Sequence, residues 1–101
     1  MSDTRRTATP HLPRRPIWLC RACVQEWPCP TARTDLVTEY VDDTVALYVY
    51  LAGMLFDAIT DLHRLNPEPG PNPTRMYDRF LGWPASHLAI VRHTRRAEND
   101  R

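Results

Sequence analysis

Lysine is absent from this chain, and all thirteen of its basic residues are arginine. Twelve acidic residues bring the formal charge to +1, so there is no chain-wide electrostatic footprint for nucleic acid. The all-arginine usage fits GC-rich coding better than arginine-specific recognition. Only three glycines are present. They form neither a G-x-G-x-x-G turn nor a Walker loop, which excludes the common phosphate-cradling motifs. The longest apolar run, Val45–Phe56, ends at Asp57 and is shorter than the roughly 20 residues a bilayer crossing needs. The first twenty residues lack the apolar core of a secretory signal. No Ser/His/Asp constellation can be assembled. Cysteine is scarce too: there are three, an odd number. With no signal segment, that points to the reducing cytoplasm.

Those three cysteines, Cys20, Cys23 and Cys29, fall within ten residues. Cys20 and Cys23 form a C-x-x-C turn, which lets two sulfurs converge on one ion while neighbouring N–H groups stabilise the thiolates. Structural Zn²⁺ takes four Cys or His ligands in a tetrahedron. Three cysteines leave one position, and His11, nine residues before Cys20, is the leading candidate. Residues 12–19 can arch back over the turn, with Pro13 and Pro16 restricting them. His63 would reach only if its helix packed on the knuckle, and His87 and His93 lie further downstream. The expected metal set is therefore His11, Cys20, Cys23 and Cys29. A Cys20–Cys23 redox pair and an iron–sulfur cluster are the alternatives. The first usually sits in a thioredoxin-like strand–helix unit, and the second usually wants four cysteines.

At 101 residues the chain is one small domain, and a structural metal would staple it. Residues 1–10 are polar and aperiodic and are expected to be disordered. Residues 11–30 are the knuckle in its Pro-rich arm. Arg5, Arg6, Arg14, Arg15 and Arg21 make this end basic, as a solvated arm offsetting thiolate charge. The helical region spans 31–95 and is interrupted by a Pro-rich linker at 66–73; residues 96–101 fray. Pro30 or Thr31 opens a first helix, capped by Thr31 or Thr34. Asp42 or Asp43 caps a second that runs to about Leu65. Val45, Tyr48, Val49, Ala52, Leu55, Phe56, Ile59 and Leu62 recur at helical spacing and mark its core stripe. Leu47, Tyr50, Leu51 and Met54 lie off that stripe and widen it, so a partner is expected to meet Tyr50 and Met54. Gly53 suggests a close crossing. Asp57 and Asp61 read as a solvated face. Thr74 caps a third helix, Arg75–Leu81, ended by Gly82, and a last helix covers 85–95. The fold class is thus mainly α, with the knuckle packed on two to four helices.

The pattern His11…Pro16-x-Trp18-x-Cys20-x-x-Cys23…Trp27-Pro28-Cys29-x-x-Ala32-Arg33…Leu36…Glu39-Tyr40 resembles a group of small, largely uncharacterised actinobacterial proteins. Tyr77-x-Arg79-Phe80-Leu81-Gly82-Trp83 looks like their closing motif, so the resemblance covers roughly residues 11–83. It implies metal binding. Some of those proteins carry a flavin-reductase label, an activity that usually needs a barrel or a nucleotide-binding domain that this chain has no room for. One position departs: the family commonly has glycine after the second cysteine, where this chain has Val24.

The resulting expectation is a zinc-binding module that contacts another protein or a second copy of itself. The candidate contact surfaces are the face around Tyr48, Leu51 and Leu55 and the Phe80–Trp83 corner. A thiol- or flavin-dependent redox protein and a nucleic-acid-binding accessory are the alternatives. All-sulfur ligation makes zinc a weak Lewis acid, and no glutamate sits in a histidine motif as a base, which argues against an enzyme.

Overall fold

The computed structural model describes residues 9–100. Residues 1–8, where most of the expected disordered tail falls, lie outside that range. A minimal hairpin, β1 (Pro13–Arg14) and β2 (Leu19–Cys20), is followed by four helices: α1 (Pro30–Glu39), α2 (Thr44–Leu65), α3 (Pro73–Leu81) and α4 (Pro84–Asn99). The architecture is mainly helical with the arm packed against the helices, as the sequence indicates.

Each helix begins for a local reason. α1, α3 and α4 carry proline at the first helical position, where the missing N–H costs nothing and φ is already helical. α1 is capped by Cys29, whose sulfur accepts the Ala32 N–H at 3.4 Å; neither Thr31 nor Thr34 does this. Asp43 caps α2 by accepting the Ala46 N–H at 3.0 Å. Asn72, not Thr74, caps α3 through the Arg75 N–H at 3.0 Å. Caps of this kind contribute about 1 kcal/mol each. α3 stops at Gly82, where a Cβ would lie 2.9 Å from the Asp78 backbone, so a side chain there would force the turn open. α4 then runs to Asn99, past residue 95, because nothing after Pro84 breaks it.

Two apolar clusters hold these parts together. Around the knuckle, Trp18, Trp27 and Phe80 are almost fully buried and meet tilted or edge-on with ring centroids 5.7 to 6.1 Å apart. Burying each ring stabilises by roughly 2–3 kcal/mol. Ala32 of α1, Ala58 of α2 and Met76 of α3 complete this cluster. The second cluster joins Val37 of α1, Leu47 and Leu51 of α2, and Trp83 and Leu88 at α4. The Phe80–Trp83 corner is therefore core, not a contact surface.

α2 corrects the sequence reading most sharply. Its buried or half-buried face is Leu47, Tyr50, Leu51, Met54, Leu55, Ala58 and Leu62. Val45, Val49 and Phe56 are 74%, 67% and 70% exposed, with Ala52 and Ile59 exposed beside them. Both stripes obey the same helical spacing, so spacing alone could not choose between them. Tyr50 and Met54 pack against the core clusters, which removes them as a contact surface. Among the described residues, nothing beyond the helix's own backbone lies within 4 Å of a Cβ built on Gly53. The expected crossing there is absent among the described residues, and the glycine costs about 1 kcal/mol of helix stability relative to alanine without an internal return. By length and composition alone α2 is apolar enough to cross a membrane, with a mean hydropathy of 1.5 over its best window.

Candidate metal centre

Backbone pairing assembles the site. β1 and β2 run antiparallel with Pro13 opposite Cys20, and the Arg21 N–H donates to the Leu12 carbonyl at 2.9 Å. That register turns the arm back and carries His11 to the cysteines. The C-x-x-C turn closes through Val24 N–H to the Cys20 carbonyl at 2.9 Å and Cys20 N–H to the Gln25 carbonyl at 2.7 Å. It forces Val24 to φ 64°, the left-handed region that favours glycine. Trp27 fixes the other strand of the loop, since its indole N–H donates to the His11 carbonyl at 3.0 Å.

The ligand atoms of His11, Cys20, Cys23 and Cys29 all lie within 4.8 Å of one another. His11 Nδ1 is 3.3 Å from both Cys20 Sγ and Cys29 Sγ, and those two sulfurs are 3.7 Å apart. A tetrahedral ion with metal–sulfur bonds of about 2.3 Å and a metal–nitrogen bond of about 2.1 Å would space its ligands by roughly 3.6–3.8 Å. The three edges among His11, Cys20 and Cys29 fit within a few tenths of an ångström, and Cys23 Sγ lies within 4.8 Å of each of them. All three cysteines are free of disulfides. The group can hold a metal ion. His63 is exposed and is not part of it.

The electrostatics favour a thiolate at Cys20 and oppose one at Cys29. Burial pushes the Cys20 thiol up, but the backbone N–H groups of Cys23 and Ala22 and the thiols of Cys23 and Cys29 outweigh it and bring it down to about 6. Cys29 is pushed up, by burial first, with the Ala32 N–H opposing and the neighbouring thiols adding to the rise. Its position at the N-terminus of α1 supplies the positive end of a helix dipole. One turn on, Arg33 donates from Nε to the Pro28 carbonyl at 3.0 Å. Burial lowers its pKa, and the Cys29 sulfur raises it again. Three thiolates and one imidazole around a divalent ion leave a net charge of −1, which Arg33 offsets.

Two residues outside the ligand set, Asp61 and Arg79, anchor this centre. Asp61 is 7% exposed, not part of a solvated face. Its Oδ2 accepts from Trp18 Nε1 at 2.8 Å and from Arg15 Nε at 2.7 Å, and Oδ1 accepts from Arg15 Nη2 at 3.2 Å. The arm is thereby tied to α2, and Arg15 is used internally. Arg79 of α3 donates from Nε to the Trp27 carbonyl at 2.8 Å and from Nη2 to the Trp18 carbonyl at 2.7 Å. It holds both sides of the knuckle at once, with Glu26 3.8 Å away. Asp61 is in register with Leu47, Leu51, Ala58 and Leu62, and a charge on a core face requires a partner, but that signal is readable only once the buried face of α2 is known. Arg79 left no such signal, since its role depends on where α3 crosses the knuckle. No protein family, curated protein or solved structure matches this chain.

Proposed function

We propose that the chain is a small zinc-binding module of the reducing cytoplasm, whose closed His11–Cys20–Cys23–Cys29 site is structural and whose role is to bind protein. The convergence of four Cys/His donor atoms within 4.8 Å carries the zinc reading. Four protein ligands leave no open position for a substrate, which is the mark of a structural rather than a catalytic site. The thiolate-rich set also suits zinc better than hard cations such as magnesium. The redox alternative, a Cys20–Cys23 pair, is disfavoured because the turn does not lie in a thioredoxin-like strand–helix unit and both sulfurs converge with Cys29 and His11. The nucleic-acid alternative loses Arg15 to Asp61. Exposed apolar side chains on α2 support the protein-binding half.

Native mass spectrometry with elemental analysis tests the metal. One zinc per chain is expected, with Cys23→Ser lowering its affinity and loosening residues 11–30 in amide exchange, because a site of this kind is coupled to folding. A native mass equal to the bare chain with a Cys20–Cys23 disulfide, or stoichiometric iron, would overturn the zinc reading.

A further inference from the structure

The outer face of α2 is the largest feature that the metal centre leaves unused. Val45, Val49, Ala52, Phe56 and Ile59 recur at spacings of four, three, four and three residues, so they form one straight stripe along the helix. All five are exposed. No charged residue occurs between Val45 and Phe56. Among the described residues nothing covers this face, as the exposure of all five side chains shows.

The stripe reads almost the same in both directions about Ala52. Val49 lies three residues before it and Phe56 four after; Val45 lies seven before and Ile59 seven after. Its ends carry opposite charge. Asp42, already paired with Arg95 at 3.0 Å, and Asp43, the cap of α2, precede it, and His63 and Arg64 follow it, all four exposed. At the midpoint, Ala52 and Gly53 present almost no side chain, and among the described residues nothing outside the helix uses the space beside Gly53.

We infer, building on the protein-binding reading above, that two copies of the chain pair antiparallel through this face, with Ala52 at the two-fold axis. Val49 of each copy then packs against Phe56 of the other, and Val45 against Ile59. The acidic start of each helix faces the basic end of its partner, and the helix dipoles oppose favourably. The small residues at the axis let the backbones approach closely while the larger ones interlock on either side. The interface is isologous, so it closes at two copies. Each copy contributes on the order of 400 Å² of apolar surface, which places the pair among weak interfaces.

Sedimentation of the zinc-loaded chain over a concentration series, with native mass spectra of the same samples, tests this. A monomer–dimer equilibrium is expected for the wild type. Val49→Glu and Phe56→Glu should each weaken it at least ~10-fold while helicity and zinc content stay unchanged, because both side chains lie outside the core. A mixed labelled and unlabelled sample should show NOEs between Val49 and Phe56. Within one helix these residues are about 10 Å apart, so such contacts must arise between copies. A monomer at millimolar concentration, a dimer insensitive to both substitutions, or a monomer that instead floats with phosphatidylcholine vesicles would overturn the proposal. Zinc stoichiometry is read independently in the same spectra, so a monomer with one zinc sinks the pairing alone, and a dimer without zinc sinks the metal reading alone.

Discussion

Replacing Asp61 by alanine tests how the metal-bearing arm is held to the helices. The carboxylate accepts from Trp18 Nε1 at 2.8 Å and from Arg15 Nε at 2.7 Å. The two donors fare differently when it is lost. The Arg15 side chain is 52% exposed, so water replaces much of its share. Trp18 is 0% exposed, and its indole N–H has no water to turn to. A buried donor left without an acceptor costs about 1–3 kcal/mol. With a small loss of packing, the expected cost of Asp61→Ala is about 2–3 kcal/mol, a fall in Tm of roughly 10–20 °C for a domain of this size. Asp61→Asn keeps an acceptor for the indole and should cost about 1 kcal/mol. Trp18→Phe in the alanine background removes the stranded donor. The double variant should therefore lose about 1 kcal/mol less than the sum of the single ones.

The assay is urea unfolding with saturating zinc, followed by far-UV circular dichroism. Acid adds a second readout. The Arg15 hydrogen bond holds the Asp61 carboxyl below its ordinary value; burial opposes this, and the Trp18 N–H assists. A depressed folded pKa contributes stability above the unfolded carboxylate value and loses it as pH falls through the folded one. The gap between wild type and Asp61→Asn should thus be full near neutrality and close below the ordinary carboxylate range. A loss under about 0.5 kcal/mol for the alanine variant, strict additivity with Trp18→Phe, or a gap indifferent to acid would refute the clamp.

Arg79→Ala strands the Trp27 carbonyl and leaves the Trp18 carbonyl with the Trp27 N–H alone, and should speed zinc release to a chelator by about 10-fold or more, as expected for a partner that orients a ligand shell; Arg75→Ala, an exposed change on the same helix, should not. Val24→Gly removes a side chain that is 68% exposed and relieves a left-handed backbone, so unfolding experiments should show a gain of about 1 kcal/mol. Val24→Ile should show no gain.

What the sequence determined alone was chemistry carried by short spacing. Cys20, Cys23 and Cys29 are close because the chain between them is short, and the prolines of the arm leave His11 few places other than beside them. The helices were legible for a similar reason, since Asp43 before an apolar run and Gly82 after one act locally. The Cys29 cap on α1 was within reach of the same reasoning, because a Cys-Pro pair opens that helix. Tertiary structure alone decided the phase of α2. A helix apolar around most of its circumference has no preferred face of its own. Leu47 and Leu51 are inside, and Val45 and Phe56 outside, because the Trp83 end of α4 and the tryptophans of the knuckle press on one side of it. The same contacts turned Asp61 from a surface carboxylate into the acceptor for a buried indole, and Arg79 into the brace across two carbonyls. Roles of that kind depend on groups more than forty residues apart meeting in space, and no local pattern encodes such a meeting.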